Sequence, residues 1–279
     1  MAAIGTASAQ STVVLSGQFG TAFGSSDFAA SSVGRTDGNL NVTVTEDLGG
    51  GLKFTGVAGL DLRDRGAAVT GRSTSFTLAG GFGSLNYATS LANLNLRTGA
   101  LSGLSLDKGL QFVTNGEAVV SILQYTTPAL APGLTLNINS VQTGTSTLTD
   151  NISDYTTFAV NYANGPLSTS FDYRSNDTRT RGTVTYDAGV AKAAVGFISG
   201  YGTVTNSQLD MDISIPMGAI TLAAQYVQRG DDNGYALGAS YALSKRTSIN
   251  LATANIDTTS SSGSAYNGQQ TRLRLNHTF

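Results

Sequence analysis

The sequence predicts an all-β fold: a closed antiparallel transmembrane β-barrel, sixteen strands around a wet lumen. Three observations carry this. Apolar and polar residues alternate with a period of two along most of the chain, so that each strand has two committed faces. Only 12% of residues are charged, about half the usual fraction for a globular domain, while glycine is abundant at 34 residues. Connections alternate between short turns and longer polar stretches, the rhythm of a barrel that spans a bilayer. No apolar run approaches the ~18 residues of a membrane helix, so membrane residence has to be by strands.

Taken in order, the first strand carries Val13, Leu15 and Phe19 on its apolar face, and the second Leu40, Val42 and Val44. In the third, Leu52, Phe54, Ala58, Leu60 and Leu62 oppose Lys53, Thr55, Asp61 and Arg63. The fourth and fifth are short, marked by Phe76 with Leu78 and by Leu85 with Tyr87; discounting them leaves fourteen strands. The sixth has Val119, Leu123 and Tyr125, the seventh Leu134, Leu136 and Ile138. The eighth has Phe158, Val160 and Tyr162, the ninth Leu167, Phe171 and Tyr173, and the tenth Val184 and Tyr186. Ala193, Val195 and Phe197 mark the eleventh, Leu209, Met211, Ile213 and Ile215 the twelfth, Ile220, Leu222 and Tyr226 the thirteenth. Leu237 with Tyr241, Ile249 with Leu251, and Leu273 with Leu275 complete the set. An even count suits a bacterial single-chain barrel, and closure removes exposed strand edges.

The short connections are EDLGGG, GGFG, PALAPG, ANGP, DAG, PMGA and LSKR; they hold all four prolines. The longer ones include GSSDFAASSVGRTDG, QTGTSTLTDN and DTTSSSGSAYNG. In such barrels short turns face the periplasm, which puts both chain ends there. Tyr125, Tyr162 and Tyr186 each close a strand beside a short turn, where the ring sits in lipid and the hydroxyl among headgroups. At the start, Ala7-Ser8-Ala9 before Gln10 matches a signal-peptidase site, so residues 1–9 read as the tail of a signal peptide and 10–279 as a single barrel domain.

The last stretch, YALGASYALSKRTSI, resembles the penultimate hairpin of Gram-negative general porins of the neisserial and β-proteobacterial type. Tyr235, Leu237, Gly238, Ala239, Tyr241, Leu243, Ser244, Lys245, Arg246 and Thr247 match that family's pattern, and the final LNHTF is similar to its ending in His, any residue, Phe. LAGGFGSL, YTTPALAPGL and YANGPLS resemble its turns as well. Two departures stand out: Asn276 replaces a usual arginine, and Tyr87, Ala88 and Thr89 occupy the place of Leu-Gly-Arg on the fifth strand. The resemblance implies an outer-membrane general-diffusion porin, passive passage of ions and small hydrophilic solutes, a homotrimer, and Phe279 as the signal for the barrel-assembly machinery.

Residues 90–116 break the rhythm and are too long for an incidental connection. In the porins this chain resembles, the third outward loop folds into the barrel. Leu91, Leu94, Leu96, Leu101, Leu104 and Leu106 would pack on the inner wall, leaving Arg97, Asp107 and Lys108 towards the pore. Parity sends Lys53, Arg63, Arg174, Arg179, Arg181, Lys192, Arg229, Arg272 and Arg274 inward, against the acids Asp61, Asp172, Asp210 and Asp212. A net basic lumen favours anions modestly. Arg181 and Arg274 are the expected eyelet residues, with Arg63 and Arg179 above them.

Other chemistries have little material. The single histidine, His277, lies on the lipid-facing parity, so a serine–histidine hydrolase lacks its base. There is no cysteine, no paired-histidine metal motif and no phosphate loop at GGFG or GGG. Neither a cofactor nor nucleic acid is expected; net charge is −2 with no basic run. The alternative function is a structural or adhesive barrel with a plugged lumen.

Overall fold

The structure is a computed structural model and describes residues 11–27, 29–62, 70–92, 118–143, 154–176, 179–199, 207–257 and 267–279. These form sixteen strands. The first half comprises β1 (Thr12–Ser26), β2 (Ala29–Gly49), β3 (Leu52–Asp61), β4 (Thr70–Gly80), β5 (Gly83–Ala92), β6 (Ala118–Thr126), β7 (Leu134–Thr143) and β8 (Tyr155–Asn164). The second comprises β9 (Leu167–Arg174), β10 (Thr180–Asp187), β11 (Lys192–Ser199), β12 (Gln208–Met217), β13 (Ile220–Arg229), β14 (Asp232–Ala242), β15 (Thr247–Asp257) and β16 (Gly268–Thr278). Each pairs antiparallel with its sequence neighbours, and β1 pairs β16 to close the barrel. The fourth and fifth strands are not short: they run eleven and ten residues and pair from Gly80↔Gly83 to Ser73↔Ser90, which decides sixteen over fourteen.

Apolar side chains cover the outside because lipid, not a core, is their solvent. Phe76, Leu123, Phe158, Val184, Leu237 and Leu251 are all exposed to the surroundings, each on the parity the sequence assigns outward. A ten-residue strand such as β8, rising ~3.4 Å per residue at a tilt of ~40°, climbs about 26 Å, the height of an outer-membrane apolar belt.

The chain ends meet at the seam. Gly17 and Phe279 exchange backbone hydrogen bonds of 3.0 and 3.1 Å, and the Phe279 ring stacks on Phe19 with centroids 5.4 Å apart. A Cβ on Gly17 would overlap that ring, so the glycine clears the surface on which the terminal aromatic lies. At the same end, the β4–β5 turn depends on Gly83. Its φ of 102° lies in the left-handed region, and a side chain there would collide with the Thr126 carbonyl.

One expected long loop is not a loop. Most of the stretch 24–38 continues β1 and β2 as a hairpin, paired as far as Ser26↔Ala29, with register shifts between Gly20 and Thr21 and between Gly24 and Ser26. Polarity there marks strand that has left the lipid belt, not the end of pairing. The extension is stapled to β16: Asp27 donates from its backbone to the Gln269 carbonyl at 2.9 Å, and its carboxylate accepts from the Gln269 amide at 2.8 Å.

Candidate functional site

The inward faces of the strands form the candidate site, and they divide into sectors around the lumen. The first spans β6–β10. Here Arg181 donates from Nε to Asp172 Oδ2 at 2.6 Å; the two residues are register partners on adjacent strands. Arg174 lies over the Tyr155 ring, 3.8 Å from its centroid. Arg179, in the connection before β10, is buried beside them. Burial, then the charges of Arg174 and Arg181, lowers its guanidinium pKa from the ordinary value, with Asp172 acting the other way. Arg181 is the second residue of β10, close to the long-connection end.

The second sector is acidic. Asp210 and Asp212 point inward from β12 and are buried, and Gln225 of β13 donates to both oxygens of Asp210 at 3.0 and 3.2 Å. Arg229 and Asp232, register partners across the β13–β14 turn, are also buried. A third sector on β13–β15 presents Val227, Ala236, Ala254 and Ile256, all almost wholly buried although they face inward. The fourth lies at the seam, where Arg274 forms an ion pair with Asp37 and Gln18 donates to Asn276 at 2.7 Å. Arg272 stands one inward step from Arg274 on β16.

Arg181 and Arg274 therefore occupy different walls, six strands apart in the closed order. Each holds its own aspartate. Asp61 ends β3 near the long-connection side, paired in register with Asn39 and Thr70. Arg63, Arg97, Asp107 and Lys108 fall outside the described residues, as does most of the 90–116 segment; residues 90–92 still belong to β5. His277 is on the outer face, its Nδ1 2.9 Å from Thr247 Oγ1. Among the described residues, no group of three or more His, Cys, Asp or Glu could hold a metal ion.

Four inward acids among the described residues are absent from the expected set: Asp37 and Asp232, and Asp47 and Asp187, the register partners of Lys53 and Lys192. Asp37 had been assigned to a loop, yet the alternation Asp37, Asn39, Asn41, Thr43 against Leu40, Val42, Val44 already extended to it. Asp232 sits where a turn and a strand start are hard to separate. With them, the excess of base over acid in the lumen is smaller than parity counting implied.

The model of the Gram-negative porin family matches residues 1–261. The chain belongs to that family. A comparison with curated protein sequences finds no match. Among solved structures, this porin is similar to the anion-selective porin from Comamonas acidovorans, with a TM-score of 0.71 and 22% identity over 97% of this chain and 100% of that one. It is also similar to a loop-deletion mutant of OmpT, an outer membrane protein of Vibrio cholerae, at TM-score 0.72 and 14% identity over 96% and 99% of the two chains. A Rhodopseudomonas blastica porin mutant gives TM-score 0.72 and 12% identity over 96% and 100%. At these identities the likeness is one of fold. Family and barrel together make the protein a diffusion porin of the bacterial outer membrane, a channel.

Proposed function

We propose that this porin passes ions and small hydrophilic solutes passively, with a modest preference for anions. The observation that carries the preference is Arg181, whose side chain is 38% exposed on the lumen although its Nε is bound to Asp172. A single N–O contact leaves the rest of the guanidinium facing the solute path. Arg174 and Arg179 crowd beside it, so an anion near this wall relieves repulsion among three cations. The description of the Comamonas acidovorans protein as anion-selective supports the same sign.

Residues 90–116, with Arg97, Asp107 and Lys108, are assigned to the constriction. Arg63, Arg272 and Asp61 complete the charged lining. Both termini are assigned to the periplasm, Phe279 to the assembly signal, and the working form is a homotrimer. A second reading, a barrel with a filled lumen and a surface role, draws on the near-complete burial of Val227 and Ile256.

Reversal potentials in planar bilayers under a KCl gradient test the proposal. Discrete conductance with weak anion selectivity is the expected result. Arg181→Ala and Arg274→Ala should each shift selectivity towards cations, Arg181→Ala more, because Arg274 is only 11% exposed and already neutralised by Asp37. A silent membrane would favour the filled barrel.

A further inference from the structure

The wall of β6–β10 is not built like a merely wetted pore lining. It contains a recess of about 280 Å³, just under the roughly 300–1,000 Å³ of small-molecule sites. Its floor is Ala159 of β8. In register, Ala159 lies between Asn137 of β7 and Asp172 of β9, with Arg181 next beyond Asp172. Towards the long-connection end the lining turns apolar: Val120, Val141 and Tyr155 are buried together with Ile122 packed against them.

Three acceptors in this recess have no partner. Asp172 Oδ1, Asn137 Oδ1 and Asn139 Oδ1 are buried, and no donor among the described residues reaches them. Asn139 uses only its amide nitrogen, donating to Thr157 at 2.8 Å. Buried acceptors of this kind cost free energy until a donor arrives. Beside them the outer part of the Arg181 guanidinium offers donors of its own, suited to a carboxylate. One wall thus presents acceptors for a cation, a fork for an anion and an apolar surface next to both.

We propose that the recess binds a zwitterionic α-amino acid with an apolar side chain, a resting place along the solute path. The carboxylate takes the free nitrogens of Arg181. The ammonium donates to Asp172 Oδ1 and to the carboxamide oxygens of Asn137 and Asn139. The side chain lies on Ile122, Val141 and Tyr155. A simple anion would leave the three acceptors unmet, and a sugar would not use the apolar rim. The proposal deepens the porin reading, yet binding and conduction are separable by experiment.

Saturation-transfer NMR on the detergent-solubilised barrel, with L-leucine, glycine and 4-methylpentanoate, measures binding without requiring a pore. Leucine should bind at least tenfold more tightly than glycine, with the strongest transfer to its methyl groups. Ala159→Leu fills the floor and should abolish leucine binding. Asp172→Asn should weaken leucine about tenfold but strengthen 4-methylpentanoate, which lacks the ammonium. Equal affinity for glycine and leucine, unchanged binding in Ala159→Leu, or a parallel loss of both ligands in Asp172→Asn would overturn the inference. Heat-modifiable gel mobility checks that each variant is folded. Absent conductance with intact leucine binding would sink only the porin reading.

Discussion

At the scale of single residues, what distinguishes this lumen is how its charges are held. Arg274 and Asp37 pair across the seam although 237 residues separate them in the chain. Both are inside a wall of low dielectric, and Arg274 Nε has no acceptor of its own among the described residues. Removing one partner of such a pair strands the other, which costs about 3–5 kcal/mol when both are fully buried. The pair here is partly exposed, with side chains 11% and 21% accessible, so Asp37→Asn should cost on the order of 2 kcal/mol. A lowered urea midpoint in refolding vesicles would register it. Asp37→Asn combined with Arg274→Gln should recover most of the loss, because no uncompensated charge is left; a double mutant as unstable as the single one would show that packing, and not charge, holds this point of the seam.

At the scale of elements, strand alternation was legible because lipid on one side and water on the other impose opposite demands on adjacent residues. That demand ends where the wall leaves the membrane. Residues 24–38 therefore read as loop, and Asp37 was lost with them, although the hydrogen-bond ladder simply continues between two polar strands. Parity found the lumen arginines and also Asp172, the partner of Arg181, but not the pairing of Arg274 with Asp37, since register between distant strands leaves no local trace. Turns were readable through glycine. Gly83 sits at φ 102° with the Thr126 carbonyl where a Cβ would go, whereas nothing lies within 4 Å of a Cβ on Gly81 in the same turn. Gly83→Ala should destabilise the barrel by roughly 1–3 kcal/mol, and Gly81→Ala should stay within about 0.5 kcal/mol of wild type. Parallel unfolding midpoints for the two variants would refute this account of the turn.

At the scale of the whole molecule, the closed order places basic, acidic, apolar and seam sectors in succession around one lumen. Selectivity is then the sum of local fields and not the product of one ring of charge. Local fields of this kind are short-ranged in salt: the Debye length is ~10 Å at 0.1 M and ~3 Å at 1 M. Arg181 and Arg274 each hold an aspartate, so what reaches the pore axis from them is the field of a dipole, which falls off faster than that of an isolated charge. Anion preference should therefore be visible in reversal potentials measured around 0.1 M KCl and be largely gone around 1 M, while conductance keeps rising with salt. The Arg181→Ala variant should show a weaker dependence than wild type, its preference already reduced at low salt. If selectivity instead persisted unchanged at 1 M, the discriminating step would be a contact between the anion and a site on the wall, since screening leaves such direct contacts largely intact.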